Sequence, residues 1–290
     1  MRIGVVFPQT ELGGDAGALR AYAEGVEALG YTHVLAYDHV VGADPSFYKG
    51  WSGPYDLEST FNEPFVMFGY LAAITSIELV TGIIILPQRQ TVLVAKQAAV
   101  VDVLTGGRLR MGVGIGWNPV EYEALGQAFD QRGRRLTEQI ALLRRLWTET
   151  SVTHAGTYDT ITAAGVAPLP VQQPIPLWIG GSSDAAYRRI GRLADGWFPQ
   201  IRPGDDLERA RTLIATAAGE VGRDPSAIGM EGRAAWSADD PDRFARQVDR
   251  WRAAGATHLS IDTMRSGLAT VDDHLAALAS AAAISGVDGS

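Results

Sequence analysis

Apolar and polar positions along this chain follow two alternating rhythms. Continuous apolar runs rich in β-branched residues, such as ELVTGIIIL from Glu78 to Leu86 and RLRMGV from Arg108 to Val113, predict strands buried on both faces. Segments with a 3.6-residue period separate them. Leu19, Tyr22, Ala23, Val26 and Leu29 share one face of a helix predicted over Ala16–Leu29, and Gly30 stands where a helix-terminating glycine belongs. The pattern predicts strands at Arg2–Phe7, His33–Tyr37, Glu78–Leu86, Arg108–Val113, Leu177–Ile179, Gly196–Pro199, Gly229–Gly232 and Thr257–Ile261. After the first helix, further helices are predicted at Glu63–Thr75, Thr91–Leu104, Gly133–Trp147, Asp184–Leu193, Asp206–Val221, Pro241–Ala254 and Val271–Ile284. The rhythm breaks between Thr148 and Pro176, where a short hairpin and Pro168, Pro170, Pro174 and Pro176 predict an insertion between the fourth helix and the fifth strand. Strands separated by helices imply a parallel sheet. Eight such units predict an α/β fold, a (β/α)8 TIM barrel forming one domain over residues 1–290, with a doubly wound open sheet as the alternative.

Composition narrows the function. Hydrophobic residues make up 46% of the chain, enough for a large core, and a net charge of −8 argues against non-specific nucleic-acid binding. The absence of cysteine excludes disulfides, thiolate catalysis and zinc–thiolate sites. No run of roughly 18 apolar residues is present and the N-terminus enters a strand at once, so a cytoplasmic protein acting on a small molecule is expected, without membrane or nucleic-acid partners. No His-x-His, H-E-x-x-H or calcium loop appears, so no metal site is expected. There is also no phosphate-binding P-loop and no nucleophile elbow.

In a parallel barrel, chemistry gathers at the carboxyl ends of the strands. Those ends hold Asp38-His39, Ile85-Leu86-Pro87, Gly114-Ile115-Gly116-Trp117 and Gly180-Gly181-Ser182-Ser183. The last group opens a helix, where backbone amides and serine hydroxyls make an anion site, or where the serines merely cap the helix. Gly112-x-Gly114-x-Gly116 lacks the spacing and the acidic residue of a dinucleotide fingerprint, and is read as a close backbone approach to a ring. The long loop Val40–Asn62 carries Phe47, Tyr48, Trp51, Tyr55 and Phe61. It is expected to form a lid or substrate wall, with Trp51 and Tyr55 at the pocket, or to pack against the rim or a dimer partner. Glu121 is expected as an exposed helix-start carboxylate, although it would serve as an acid if it faced the pocket. Gln131-Arg132-Gly133-Arg134-Arg135 is read as a solvated helix start. His33, His154, His258 and His274 are read as structural.

The blocks RIGVVFPQ, ALRAYAEGVEALGYTHVLAYDHV, TGIIILPQRQTVLVAKQAAVVDVLTGGRLRMGVGIGWNPVEYEALG, PIPLWIGGSSDAAYRRIGRLADGW and GATHLSIDTM resemble the bacterial-luciferase-like flavin and deazaflavin oxidoreductases. Within them the chain looks closest to the actinobacterial branch that uses coenzyme F420, a 5-deazaflavin. The resemblance implies a cis peptide at Gly82-Ile83 supporting the ring from behind, and His39 near its reactive edge with Asp38 beside it. It implies cofactor contacts from Gly114 and Trp117, and the cofactor phosphate at Gly180, Gly181, Ser182 and Ser183. One branch of the family places an acidic glutamate where this chain has Trp117; tryptophan transfers no proton, which puts sugar-phosphate substrates in doubt. The implied activity is hydride transfer between F420 and an organic substrate, in a homodimer. Two alternatives remain: an FMN-dependent monooxygenase served by a separate flavin reductase, and a non-catalytic flavin-binding barrel.

Overall fold

A computed structural model describes residues 1–287. Its parallel strands are β1 (Arg2–Val6), β2 (His33–Ala36), β3 (Glu78–Thr81), β4 (Ile84–Ile85), β5 (Leu109–Gly114), β8 (Leu177–Gly181), β9 (Gly196–Pro199), β10 (Gly229–Ala235) and β11 (His258–Asp262). A separate antiparallel pair, β6 (Val152–Ala155) and β7 (Thr160–Ala164), lies between them in the chain. The helices are α1 (Gln9–Leu12), α2 (Ala16–Ala28), α3 (Pro64–Leu71), α4 (Thr91–Thr105), α5 (Pro119–Ala124), α6 (Arg132–Leu146), α7 (Asp184–Leu193), α8 (Asp205–Gly219), α9 (Pro241–Ala253) and α10 (Val271–Ser285).

The sheet order β3-β2-β1-β11-β10-β9-β8-β5-β4, closed by pairing of β3 with β5, is a ring. β3 and β4 share one staff of it, so eight parallel staves form a closed barrel surrounded by helices. Closure removes both sheet edges. The expected open-sheet alternative is thereby excluded.

The predicted strand Glu78–Leu86 is broken. Leu79 and Val80 pair with Leu109 and Arg110, whereas Ile84 and Ile85 pair with Val113 and Gly114. Four steps on one side therefore match three on the other, a one-residue bulge. The Gly82-Ile83 peptide inside it is cis. Leu86–Gln88 continue as a short 3-10 turn rather than as strand. The Thr81 hydroxyl bridges the gap by donating to the Gly112 carbonyl at 2.7 Å.

The layer beneath the barrel mouth is polar, which the apolar strand pattern does not reveal. Arg110 donates to Glu231 and, through Nε at 3.1 Å, to Glu78, with its guanidinium 4.4 Å from the Trp178 ring. His33 and Ser260 complete the shell around Glu231, at 3.1 and 2.5 Å. Burial opposes the Glu231 charge, but Arg110 and His33 outweigh it and hold the carboxyl well below the usual range. Burial and the Arg110 charge push the neighbouring His258 down to about 3. Among the described residues no helix is long and apolar enough to cross a membrane.

Candidate active site

The strand ends open into a cavity of about 730 Å³, within the range of cofactor and substrate sites. Its floor is the bulge. Ile83 projects among Gly112, Gly114 and Gly180; a Cβ on Gly114 would stand 2.7 Å from the Ile83 Cδ1, and one on Gly180 would stand 3.3 Å from its Cγ2. Gly116, at φ +63°, makes equivalent room for Ile85. The glycine run has a packing role beside its place at the cavity, where Gly114 and Gly116 both lie. It gives space to the two isoleucines of the bulged strand, and Ile83, Gly82 and Gly114 together border the cavity.

Asp38 fixes this floor from the side. One carboxylate oxygen accepts from the Ile85 amide at 3.0 Å and the other from Arg89 at 2.7 Å, while Arg89 also reaches Glu63 at 2.8 Å. Burial pushes the Asp38 carboxyl up, and Arg89 and the Ile85 amide offset part of that rise. Asp38 borders the cavity, but both of its oxygens are engaged within the protein.

His39 stands at one side of the cavity inside an aromatic box. Its ring centre lies 4.7 Å from Phe61, 5.0 Å from Tyr55 and 5.7 Å from Trp117. Glu121 orients it. Oε1 of Glu121 accepts from the Val40 amide at 2.8 Å and lies 3.2 Å from His39 Nδ1. An oxygen already accepting from an amide acts as acceptor here too, so the proton sits on Nδ1 and Nε2 is left free. Glu121 is fully buried, which corrects the expectation of an exposed helix-start carboxylate. Local sequence explains its placement: Asn118 caps α5 by accepting from the Val120 amide, Pro119 starts the helix, and Glu121 follows in its first turn facing inward.

The aromatic loop divides its expected roles. Tyr55 lines the cavity and is held through its backbone carbonyl, which accepts from Trp51 Nε1 at 3.0 Å. Trp51 does not line the cavity. It lies behind Trp117, with ring centres 5.6 Å apart, and borders a separate surface groove. Gly53 is caught between those two indoles, where any side chain would collide with both.

At the opposite side, Gly180, Gly181, Ser182 and Ser183 line the cavity where β8 meets α7. Ser183 caps α7 by accepting from the Ala186 amide at 3.2 Å, so one serine has the capping role. Arg189, one and a half turns into α7, also lines the cavity, and it was not foreseen from the sequence. It donates to Thr137 Oγ1 at 2.9 Å and to the Gly133 carbonyl at 2.8 Å, with no carboxylate within 4.0 Å among the described residues. Burial lowers its pKa from the usual arginine value. A guanidinium beside a helix N-terminus without a counter-charge suits an anionic ligand group. The neighbouring Asp184 is met by Arg209 at 2.9 Å.

A third unforeseen group comes from the last strands. Arg233 donates to the Tyr37 hydroxyl at 2.6 Å, and that hydroxyl lies 3.4 Å from Asp262. Burial pushes the Tyr37 phenol up, so it remains protonated and relays between the two charges. Arg265, at φ +59°, lays its guanidinium 4.9 Å from the Tyr55 ring and ties the last barrel loop to the aromatic loop. Of the basic cluster after Gln131, Arg134 alone is a solvated side chain. Arg132 stacks 3.7 Å from the Phe129 ring, and Arg135 donates to the Arg89 carbonyl at 3.3 Å. None of His33, His154, His258 or His274 lines the cavity.

Residues 1–240 match the luciferase-like monooxygenase family, and the chain belongs to it. An uncharacterized Mycobacterium tuberculosis protein is 34% identical over 210 residues, 69% of this chain and 71% of that one. The F420-dependent hydroxymycolic acid dehydrogenase of the same organism is 30% identical over 266 residues, 88% of this chain and 68% of its own length. The FMNH(2)-dependent dimethylsulfone monooxygenase of Pseudomonas putida is 30% identical over 182 residues, 61% of this chain and 49% of that protein. Among solved structures, an F420-dependent secondary alcohol dehydrogenase in complex with an F420-acetone adduct superposes with a TM-score of 0.79 at 16% identity, covering 98% of both chains. At that identity the likeness establishes the fold.

Proposed function

We propose that the protein is an F420-dependent oxidoreductase acting on an organic substrate. One observation carries the reading: a single cavity of about 730 Å³ has an oriented histidine at one side and an uncompensated arginine beside a helix N-terminus at the other. The residues present fit a tricyclic ring with an anionic tail. Gly82, Ile83 and Gly114 offer a flat apolar floor, and Ser182, Ser183 and Arg189 offer donors for a phosphate. When bound, the deazaflavin supplies hydride chemistry. The chain's own task is to orient the ring, exclude water and move one proton.

His39 is the proton-handling residue in this reading, and Glu121 is a positioning residue that keeps the proton on Nδ1. Trp117 and Tyr55 close the wall above the floor. Asp38 acts on the cofactor site through Ile85 and Arg89. The relationship to the hydroxymycolic acid dehydrogenase, which spans 88% of this chain, supports the deazaflavin. We read residues 1–290 as one domain, with the β6–β7 pair as an insertion between α6 and β8, and the active form as a homodimer.

The second reading keeps the cavity and exchanges the cofactor for reduced FMN delivered by a reductase, as the relationship to the dimethylsulfone monooxygenase allows. Titration of the purified protein with each cofactor, followed by fluorescence, separates the two. Saturable binding of F420 at micromolar concentration or tighter is expected. Tight FMN binding without F420 binding would overturn the proposal.

A further inference from the structure

Two further arginines line the cavity away from the α7 N-terminus, and the proposed cofactor site uses neither. Arg233 lies two residues beyond Glu231 on β10, so its side chain leaves the strand on the same face and points into the barrel mouth. β10 stands four staves from the bulged β3–β4 stave in either direction round the ring, directly across from the floor. Arg233 is exposed although it sits on an inner strand, so its free N–H groups open onto the cavity. Its guanidinium donates to the Tyr37 hydroxyl and to no other group among the described residues. Arg265 comes from the loop after β11. Its amide donates to Glu11 at 2.9 Å and its guanidinium to the Pro54 carbonyl, so both ends are anchored. One ring separates it from His39: the Tyr55 centre is 4.9 Å from the Arg265 guanidinium and 5.0 Å from the His39 centre.

The charges on this side do not balance. Neither guanidinium has a carboxylate within 4.0 Å among the described residues. The Tyr37 phenol, pushed up by burial, stays neutral and cancels none of the Arg233 charge. Of the two carboxylates that line the cavity, Asp38 is already matched by Arg89 at 2.7 Å. The other, Asp262, accepts from the Met264 amide at 3.0 Å and the Tyr37 hydroxyl at 3.4 Å. Two cations therefore face one anion, and the wall keeps one positive charge in excess. An enclosed charge is costly until a partner meets it. A carboxylate brings one negative charge, and its planar shape matches the guanidinium fork. A phosphate dianion would overshoot the balance with Asp262 beside it. An uncharged alcohol or ketone would leave Arg233 without an ionic partner.

We propose that the substrate is a carboxylic acid whose carboxylate is held by Arg233, with Arg265 beside it, while its reacting carbon lies toward His39. The inference rests on the deazaflavin reading for the chemistry at that carbon, and not for the binding of the acid. The test uses three probes with one alkyl chain, hexanoate, hexanamide and hexyl phosphate, titrated calorimetrically into the full chain with and without F420. F420 itself is titrated into every protein by fluorescence. Hexanoate is expected to bind about tenfold tighter than hexanamide, the margin of a charge-assisted over a neutral hydrogen-bonded pair. Arg233→Met should erase that margin. Arg265→Asn, which tolerates the left-handed backbone at φ +59°, should shrink it. Both variants should bind F420 as the unaltered chain does, and Arg189→Met should keep the margin. Equal affinity for hexanoate and hexanamide, failure of both to bind, or a margin lost with Arg189 rather than with Arg233 overturns the carboxylate site, and F420 binding in the same samples leaves the deazaflavin reading standing. Hexyl phosphate binding the F420-loaded chain more tightly than hexanoate overturns the choice of carboxylate. A margin that persists in protein that binds no F420 keeps the acid site and overturns the cofactor reading.

Discussion

At the scale of single residues, the proposed function turns on a histidine that is held rather than merely present. Glu121 touches His39, the Val40 amide and, at 3.4 Å, Gln88, so it couples the start of the aromatic loop to the segment after the bulge. Glu121→Leu should lower turnover by roughly 10–100-fold while cofactor affinity stays within a few-fold, and His39→Ala should cost roughly 100-fold or more. Glu121→Gln should retain most activity, because its amide oxygen still accepts from His39 and Val40 while Gln88 can turn its unpartnered amide oxygen to the new NH2. Steady-state kinetics beside direct cofactor titration read these effects, and a purely structural role for Glu121 would instead weaken binding and turnover together. Asp38 and His39 were legible because they end a plain strand at the barrel mouth. Glu121 was not, because its inward face is set by a six-residue helix whose only local marks are Asn118 and Pro119. Arg189, Arg233 and Arg265 carry no motif at all. Arg233 and Arg265 became visible only when the barrel closed and brought the final strands around to the first, and Arg189 only when α7 packed on α6.

At the scale of elements, the bulged β3–β4 strand and β5 form an interlocking pair. A Cβ at Gly112 would collide with the Thr81 carbonyl, which is backbone and cannot rotate away, and with Phe198 and Ile83. Gly112→Ala is therefore expected to destabilise the protein by about 1–3 kcal/mol, the usual range for overpacking. Chemical denaturation checks this, and an unchanged midpoint would show that the strand can shift. The glycine spacing drew attention to this region from sequence alone, but its meaning stayed hidden. Counting residues within one strand cannot expose a mismatch of four steps against three, since the mismatch belongs to the pairing. The aromatic loop shows the same limit. Its composition identified a wall, yet nothing in it distinguished Tyr55, which lines the cavity, from Trp51, which lies behind Trp117.

For the whole molecule, the alternation of strand and helix was enough to predict a closed barrel, because eight repeating units leave little else to build. The charged layer inside it was not legible, since Arg110, Glu231 and His33 sit within otherwise apolar strands. That layer gives the fold an acid limit. His258 titrates near 3 in the folded state against 6.5 ordinarily, so the unfolded chain binds more protons between these values and stability falls as pH drops below 6.5. Glu231, held low, adds a second loss below 4.5. Thermal melts should show the midpoint falling from pH 6.5 downward, more steeply below 4.5. His258→Gln should flatten the upper part of that slope and leave the lower part. The barrel floor also bears on how this protein can be diversified. Positions 82, 112 and 114 are closed to larger side chains, because the Leu35 side chain, the Thr81 carbonyl or Ile83 already occupies the space. New substrate scope would have to be sought in libraries aimed at Tyr55, Trp117 and Arg265, where the wall facing the ring can vary while the bed beneath it keeps its shape.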